Sequence, residues 1–305
     1  EASGYPEPGS LMCLIPNRIS YSFGLIGPSI GVDAACASGL VALDTAITKL
    51  RLASCSKAFV GAVSLILVPC FFLGGSKTRQ FSKAGRCRTF DAAADGLVRG
   101  EGAAGVLLAP LAAARSESKF VHAIVRGTAI SHYGQGARLT APNTRALARV
   151  LNMALESGGV DQSMVRCYEA HGTATVLGDI IEMNAVKHVF EKRPKESPLI
   201  VGTAHNNIGH LDSAAALVAF VKTVLSLKHR YVPPNIQFNK MHPDIDAFDT
   251  SRIVYTREGQ AIRTTDNETR IFGANLAYGL GGTVVAAITE EGDDPAKEPQ
   301  VGDLL

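Results

Sequence analysis

Residues 165–190 read VRCYEAHGTATVLGDIIEMNAVKHVF. Val165–Glu169 is a short, strongly apolar run that predicts a buried strand. A Gly/Thr-rich loop follows, and then a helix from Asp179 to Phe190. Residues 199–227, LIVGTAHNNIGHLDSAAALVAFVKTVLSL, repeat the pattern: a strand over Leu199–Thr203, a loop, and a long apolar helix from Asp212 to Leu227. Strands that are apolar on both faces need helices on both sides of their sheet, so this pair of units predicts a layered α/β fold.

Working outward, Arg252–Tyr255, Arg270–Ala274 and Val284–Thr289 are expected to close the sheet. Ahead of the pair, Asn143 should cap a helix reaching Leu155, with Leu147, Leu151 and Leu155 in register. Ala58–Val63, Ala104–Leu111 and Val121–Ile130 are expected strands, with a turn at Arg115–Ser118 between the last two. Ile30–Ala34 reads as an extended run entering a helix from about Cys36 to Leu52, with Leu40, Leu43, Ile47 and Leu50 on one face. The polar residues after Glu290 are expected to be loose.

Composition limits the classes of function. Of 305 residues 46% are hydrophobic, enough for a large core, and 30 Lys+Arg against 28 Asp+Glu leave a net charge of +2. That balance supplies no basic stripe, so nucleic acid is not an expected partner. Six cysteines (13, 36, 55, 70, 87 and 167) form no CxxC pair, and no His cluster shows metal-ligand spacing. A chain this long needs no disulfide staples, which points to a reducing, intracellular setting, cytoplasmic or organellar. Residues 58–75, AFVGAVSLILVPCFFLGG, carry no charge over 18 positions, near the length of a membrane span. Three glycines and Pro69 fit a buried central strand, a loop and a short helix, and a membrane is not an expected partner.

The candidate chemistry sits on loops. Cys36 lies in Val32-Asp33-Ala34-Ala35-Cys36-Ala37-Ser38-Gly39, where a helix begins among small residues. A thiol there meets unpaired N–H groups and the positive end of the helix dipole, which lower its pKa and favour thiolate. The competing reading is a buried structural cysteine. His171, in Glu169-Ala170-His171-Gly172-Thr173-Ala174-Thr175, follows a strand. His210, in Asn207-Ile208-Gly209-His210, precedes a helix. Taken singly, each is a catalytic candidate or an ordinary loop histidine. Tyr278-Gly279-Leu280-Gly281-Gly282-Thr283 is either a tight turn or a set of backbone N–H donors for an oxyanion.

In this order the four motifs resemble those of the condensing enzymes, and among them the elongating β-ketoacyl synthases in the style of type I polyketide and fatty-acid synthases. The resemblance extends to Asn17-Arg18-Ile19-Ser20-Tyr21, Gly27-Pro28-Ser29, Gly85–Asp91, Asp95–Gly102, Thr140–Asn143 and Leu177-Gly178-Asp179. It implies a thiolase-like layered α-β-α-β-α fold of two similar halves, with the N-terminal strands of the first half absent. The first half would occupy residues 1–110 and the second 111–290, with a polar tail at 291–305.

The resemblance further implies that Cys36 carries the acyl group and that His171 and His210 act on a malonyl extender. Thr173 and Thr175 would contact the phosphopantetheine arm of acyl carrier protein, with Asn207, Tyr278 and Gly279 also at the substrate. It implies a homodimer and no bound metal or redox cofactor. The reaction would be a decarboxylative Claisen condensation, with both histidines donating hydrogen bonds to the malonyl thioester oxygen. Several positions depart from the family pattern. His205 stands where the family has lysine, Leu217 where it has glycine, Val284-Val285-Ala286 where it has Asn-Ala-His, and Ala34 and Ala37 replace hydroxyl residues. These changes leave a rival: a non-catalytic relative with a structural or partner-binding role in a larger complex.

Overall fold

The computed structural model describes residues 11–135, 138–246, 252–263 and 270–293. The chain opens with helices α1 (Leu14–Phe23) and α2 (Ser38–Arg51), strand β1 (Ala58–Ser64), helix α3 (Cys70–Lys77), strand β2 (Gly102–Leu108) and helix α4 (Leu111–Ser116). It continues through β3 (Ala123–His132), α5 (Thr144–Gly158), β4 (Val165–Glu169), α6 (Gly178–Phe190), β5 (Leu199–Gly202), α7 (His205–Ile208) and α8 (Ala215–Lys228). The short β6 (Tyr231–Val232), α9 (Pro243–Asp246), β7 (Ile253–Tyr255) and β8 (Gln260–Ala261) lead to β9 (Phe272–Tyr278) and β10 (Thr283–Glu291).

The main sheet has six strands in the order β3-β10-β9-β4-β5-β7. β4 runs parallel to β5 and β9, and β10 pairs antiparallel with β3 and β9. Its two faces are read directly from the alternation along β10. Val284, Ala286 and Ile288 join Leu147 and Leu151 of α5 and Met183 and Val186 of α6 in one core. Val285 and Ala287 point the other way, onto Leu40 and Leu43 of α2 and Leu217 and Phe220 of α8. Beyond α2 and α8 lies the antiparallel pair β1–β2, whose Val60, Ala62, Ala104 and Val106 face the same helices. The order of layers is therefore α5/α6, main sheet, α2/α8, small sheet, which is the layered α/β arrangement expected.

Local rules account for the boundaries. Asn143 accepts a hydrogen bond from the Ala146 N–H at 3.2 Å and starts α5, and Gly159 ends it at φ 60°. Ala35, at φ 52°, interrupts the chain before α2, so the helix begins at Ser38 rather than Cys36, and residues 30–33 form no strand. The uncharged stretch 58–75 divides into β1, a loop and α3, and no described helix is long and apolar enough to cross a membrane. β1 is not the buried central strand expected: Phe59 and Val63 are exposed because only its inner face meets helices. Leu111–Ser116 is a helix where a strand end and turn were expected, since Leu and Ala favour the helical state once Pro110 has broken β2. The polar tail lies outside the described residues from 294 onward.

Candidate active site

Because β4, β5 and β9 are parallel, their C-terminal ends emerge together, and each delivers one loop to the same place. β4 leads to His171, β5 to His205 and His210, and β9 to Tyr278 and Gly279. The start of α2 brings Cys36 against them from the other half of the chain. Cys36 Sγ lies 3.0 Å from His210 Nε2, and His210 Nδ1 lies 3.0 Å from His205 Nε2. The His171 ring stands 5.4 Å from that of His210 and 4.1 Å from that of Tyr278, centroid to centroid. Cys36, His171 and His210, separated by up to 174 positions in sequence, are thus brought together. Each places a ligand-type atom within 4.8 Å of the others, but the Sγ–Nε2 contact already engages two of those atoms with one another.

Two glycines allow the approach. A Cβ on Gly279 would sit 2.1 Å from the Ala34 carbonyl oxygen, so only glycine lets the 279 loop lie on the turn that carries Cys36. A Cβ on Gly39 would sit 2.7 Å from Leu217 Cβ. The bulky Leu217 is accommodated because the facing helix offers a bare backbone there.

Buried carboxylates hold the histidine loops. Glu182 Oε1 accepts from the His171 N–H and the Tyr168 hydroxyl at 2.8 Å each, and Oε2 accepts from the Gly172 N–H at 2.9 Å. Asp179 accepts from the Phe90 and Ala174 N–H groups, and Glu169 accepts from the Ala204 N–H while pairing with Lys222 at 2.7 Å. Thr89 links the two loops: its hydroxyl donates to the Gly172 carbonyl and its N–H to Asn206 Oδ1. The backbone of His210 is clamped from both sides, its N–H on the Val98 carbonyl and its carbonyl on the Gly100 N–H. That clamp is the structural reason for the Asp95–Gly102 motif, and Arg99 adds an ion pair to Asp212.

The electrostatics differ from the expectation of a ready thiolate. Burial pushes the Cys36 thiol up to about 12, and the nearby Asp212 adds to the shift. The N–H groups of Ala37 and Ser38, which at an open helix start would favour an anion, donate instead to the Ala34 and Ala35 carbonyls. Burial likewise lowers His171 well below its usual value, His210 to about 4 and His205 to about 3. The resting cluster is one neutral thiol beside three neutral imidazoles.

Of the expected substrate contacts, Thr173 and Thr175 lie together with hydroxyls 3.1 Å apart. A Cβ on Gly178 would meet Thr175 Oγ1 at 2.4 Å and the Tyr278 hydroxyl at 3.5 Å, which places Tyr278 beside them. The Tyr278 and Tyr133 hydroxyls are buried without a hydrogen-bond partner among the described residues. Asn207 is exposed, whereas its neighbour Asn206 is the buried residue that ties the loops. Glu182, Thr89, Glu169 and Asn206 were not singled out from the sequence. Glu182 had one legible signal, an acidic residue inside the apolar run of α6.

The family model described as the β-ketoacyl synthase N-terminal domain matches residues 1–114, and that for the C-terminal domain matches residues 122–239. One of the phenolphthiocerol/phthiocerol polyketide synthase subunits of Mycobacterium tuberculosis H37Rv is 38% identical over 303 residues, covering 99% of this chain and 16% of that protein. Among solved structures, the oxazolomycin ketosynthase domain of Streptomyces albus JA3453 superposes with a TM-score of 0.89 at 32% identity, over 95% of this chain and 51% of its own. The ketosynthase from module 6 of the bacillaene synthase of Bacillus subtilis 168 gives 0.88 at 28% identity, over 94% of this chain and 52% of its own. The chain thus spans about half the length of these solved ketosynthases and a much smaller share of the curated relative.

Proposed function

The chain belongs to the β-ketoacyl synthase family, and on that premise we propose that it carries the condensing chemistry of a polyketide synthase. The observation that supports this most directly is the 3.0 Å contact of Cys36 Sγ with His210 Nε2, with His171 beside it. His210 takes the thiol proton as Cys36 attacks an acyl thioester, and the released carrier thiol leaves with that proton. The transient oxyanion would be held by the N–H groups of Cys36 and Tyr278, since the Gly279 N–H already donates to the Thr283 carbonyl at 2.8 Å.

A malonyl group on acyl carrier protein then enters past Thr173 and Thr175. Imidazole N–H donation to its thioester oxygen stabilises the enolate formed as CO2 leaves. The enolate carbon attacks the acyl carbonyl on Cys36, the sulfur departs, and a β-ketoacyl carrier is released. Acyl carrier protein is the implied partner, its phosphopantetheine arm the carrier of both substrates, and a homodimer the implied assembly.

The reading is tested by incubating the chain with a short acyl thioester and mapping the added mass by peptide mass spectrometry. Acylation at Cys36 that disappears in Cys36→Ala, with the other cysteines unmodified, supports it. Folded protein that takes no acyl group at Cys36 defeats it in favour of a non-catalytic role.

A further inference from the structure

His205 is the departure from the family pattern with the clearest structural consequence. A lysine at this position would bring a permanent cation that can only donate hydrogen bonds. His205 brings a neutral ring that can accept one, and it points that ring at the histidine next to the nucleophile. Its backbone is fixed by α7 and by the N–H bond to Thr203 Oγ1, and its side chain is almost fully buried. Nε2 meets His210 Nδ1 at 3.0 Å. The carbonyls of His171 and Gly172 lie by the same ring and favour an N–H there, while Nδ1 itself reaches no partner at full hydrogen-bond geometry. A ring N–H drawn toward those carbonyls leaves Nε2 with its lone pair.

We propose that His205 is a positioning residue that accepts a hydrogen bond from His210 Nδ1–H, and so holds His210 in the tautomer whose Nε2 lone pair faces the Cys36 thiol. The inference rests on the ketosynthase reading only for the identity of the acyl substrate; the tautomer itself follows from the contacts. It gives this site a Cys36–His210–His205 chain in which a neutral imidazole does what a carboxylate or carboxamide does in other nucleophile–base–orienter sets. It also divides the labour between the histidines. His210 accepts the thiol proton, and His171, whose ring packs on Tyr278, supplies the N–H for the malonyl thioester oxygen. The nearby cations Arg99 and Lys222 are already paired with Asp212 and Glu169, so a base aimed at the S–H is what makes Cys36 reactive.

The test uses the full chain labelled with 15N-histidine. In the wild type at pH 7, His210 should show a protonated Nδ1 and an unprotonated Nε2. Alkylation of Cys36 by iodoacetamide should fall at least about tenfold in His205→Ala, less than the ~10²–10⁴-fold of a base lost outright because His210 itself remains. His205→Gln, whose amide oxygen can accept the same bond, should restore the His210 tautomer and most of the rate. A wild-type His210 protonated at Nε2 overturns the proposal, as does His205→Ala alkylated at the wild-type rate. If His205→Ala does not fold, the wild-type spectrum and the glutamine variant still decide. Condensation with a malonyl carrier is measured separately. Its failure in a protein with the expected tautomer and alkylation rate counts against the ketosynthase reading and leaves the relay standing.

Discussion

The molecule contains one small construction twice, with different outcomes. In the first half α2 leads to the antiparallel pair β1–β2, and in the second α8 precedes the antiparallel pair β9–β10, with the short β6, α9, β7 and β8 between them. Both helices have 14 residues and they pack side by side between the two sheets. Every residue of β9 is buried, yet in β1 Phe59 is 52% exposed and in β2 Leu107 is 70% exposed. The sequences differ little in kind, since AFVGAVS and FGANLAY are both mainly apolar on both faces, with Ser64 and Asn275 the polar exceptions. β9 and β10 have α5 and α6 on their second face, whereas the outer face of β1–β2 meets no comparable layer among the described residues. An apolar pattern states which surfaces favour burial; packing partners decide which are buried.

The comparison breaks most sharply at the active site, where the halves depend on each other. Cys36 comes from one and His210 from the other, so His210→Ala should silence the nucleophile as completely as Cys36→Ala does. Condensation should fall by about 10⁴-fold or more in each, the scale seen when one member of a catalytic set is removed. Product formation from acyl and malonyl carriers measures both, and a His210→Ala protein of near-normal rate would separate the halves.

The next effect is on stability. Leu147→Ala, in the core under the main sheet, should cost about 2–5 kcal/mol by urea unfolding. Phe59→Ala on the open face should cost less than about 1 kcal/mol, because little apolar area is lost there. Equal costs would mean that the outer face of β1–β2 is covered in solution. A smaller effect is expected where the two helices touch. Gly39→Ala should destabilise by about 1–3 kcal/mol through overpacking against the Cβ and backbone N of Leu217, and Leu217→Ala in the same chain, which keeps both atoms, should not recover that loss.

The smallest effect is a change in pH dependence confined to the second half. Burial raises Asp179 and Glu182 to about 7, so their contribution is complete below about pH 4 and is lost as pH rises to 7. Burial lowers His210 to about 4 and His205 to about 3, so their contribution is present above about pH 6.5 and is lost as pH falls. The two sets oppose each other. Glu182→Gln removes one member of the first set, so the gain in stability from pH 5 to pH 7 should exceed that of the wild type. Urea midpoints at the two pH values measure it, and an equal gain would remove Glu182 from the balance.

Most of the second half was legible because its strands and helices have distinct apolar periods. β4, α6, β5 and α8 lie within a few residues of where the pattern placed them, and Asn143 caps α5 as its position before the helix implied. The first half was less legible. LAAARS favours a helix by propensity, but the strand reading runs through Pro110 to Leu111, and Ala35 at positive φ has no sequence signature in a residue type that rarely adopts it. The candidate site was legible in Cys36, His171 and His210 through resemblance, and the fold brings these three together. Its supports were not, because Glu182 holds His171 from α6, and Thr89 joins loops 83 and 117 positions away.

The sequence by itself determined the alternation of strand and helix, the layered class and the family, because these depend on local period and on ordered short motifs. Tertiary structure alone decided the state of the chemistry. The thiol is neutral because burial removes the water that would solvate a thiolate, and His210 faces Cys36 because the distant segment Val98–Gly100 clamps its backbone there. His205 became part of the site only when the fold set its ring 3.0 Å from His210. Desolvation and through-space contact depend on what surrounds a residue, and no property of the residue or of its chain neighbours encodes them.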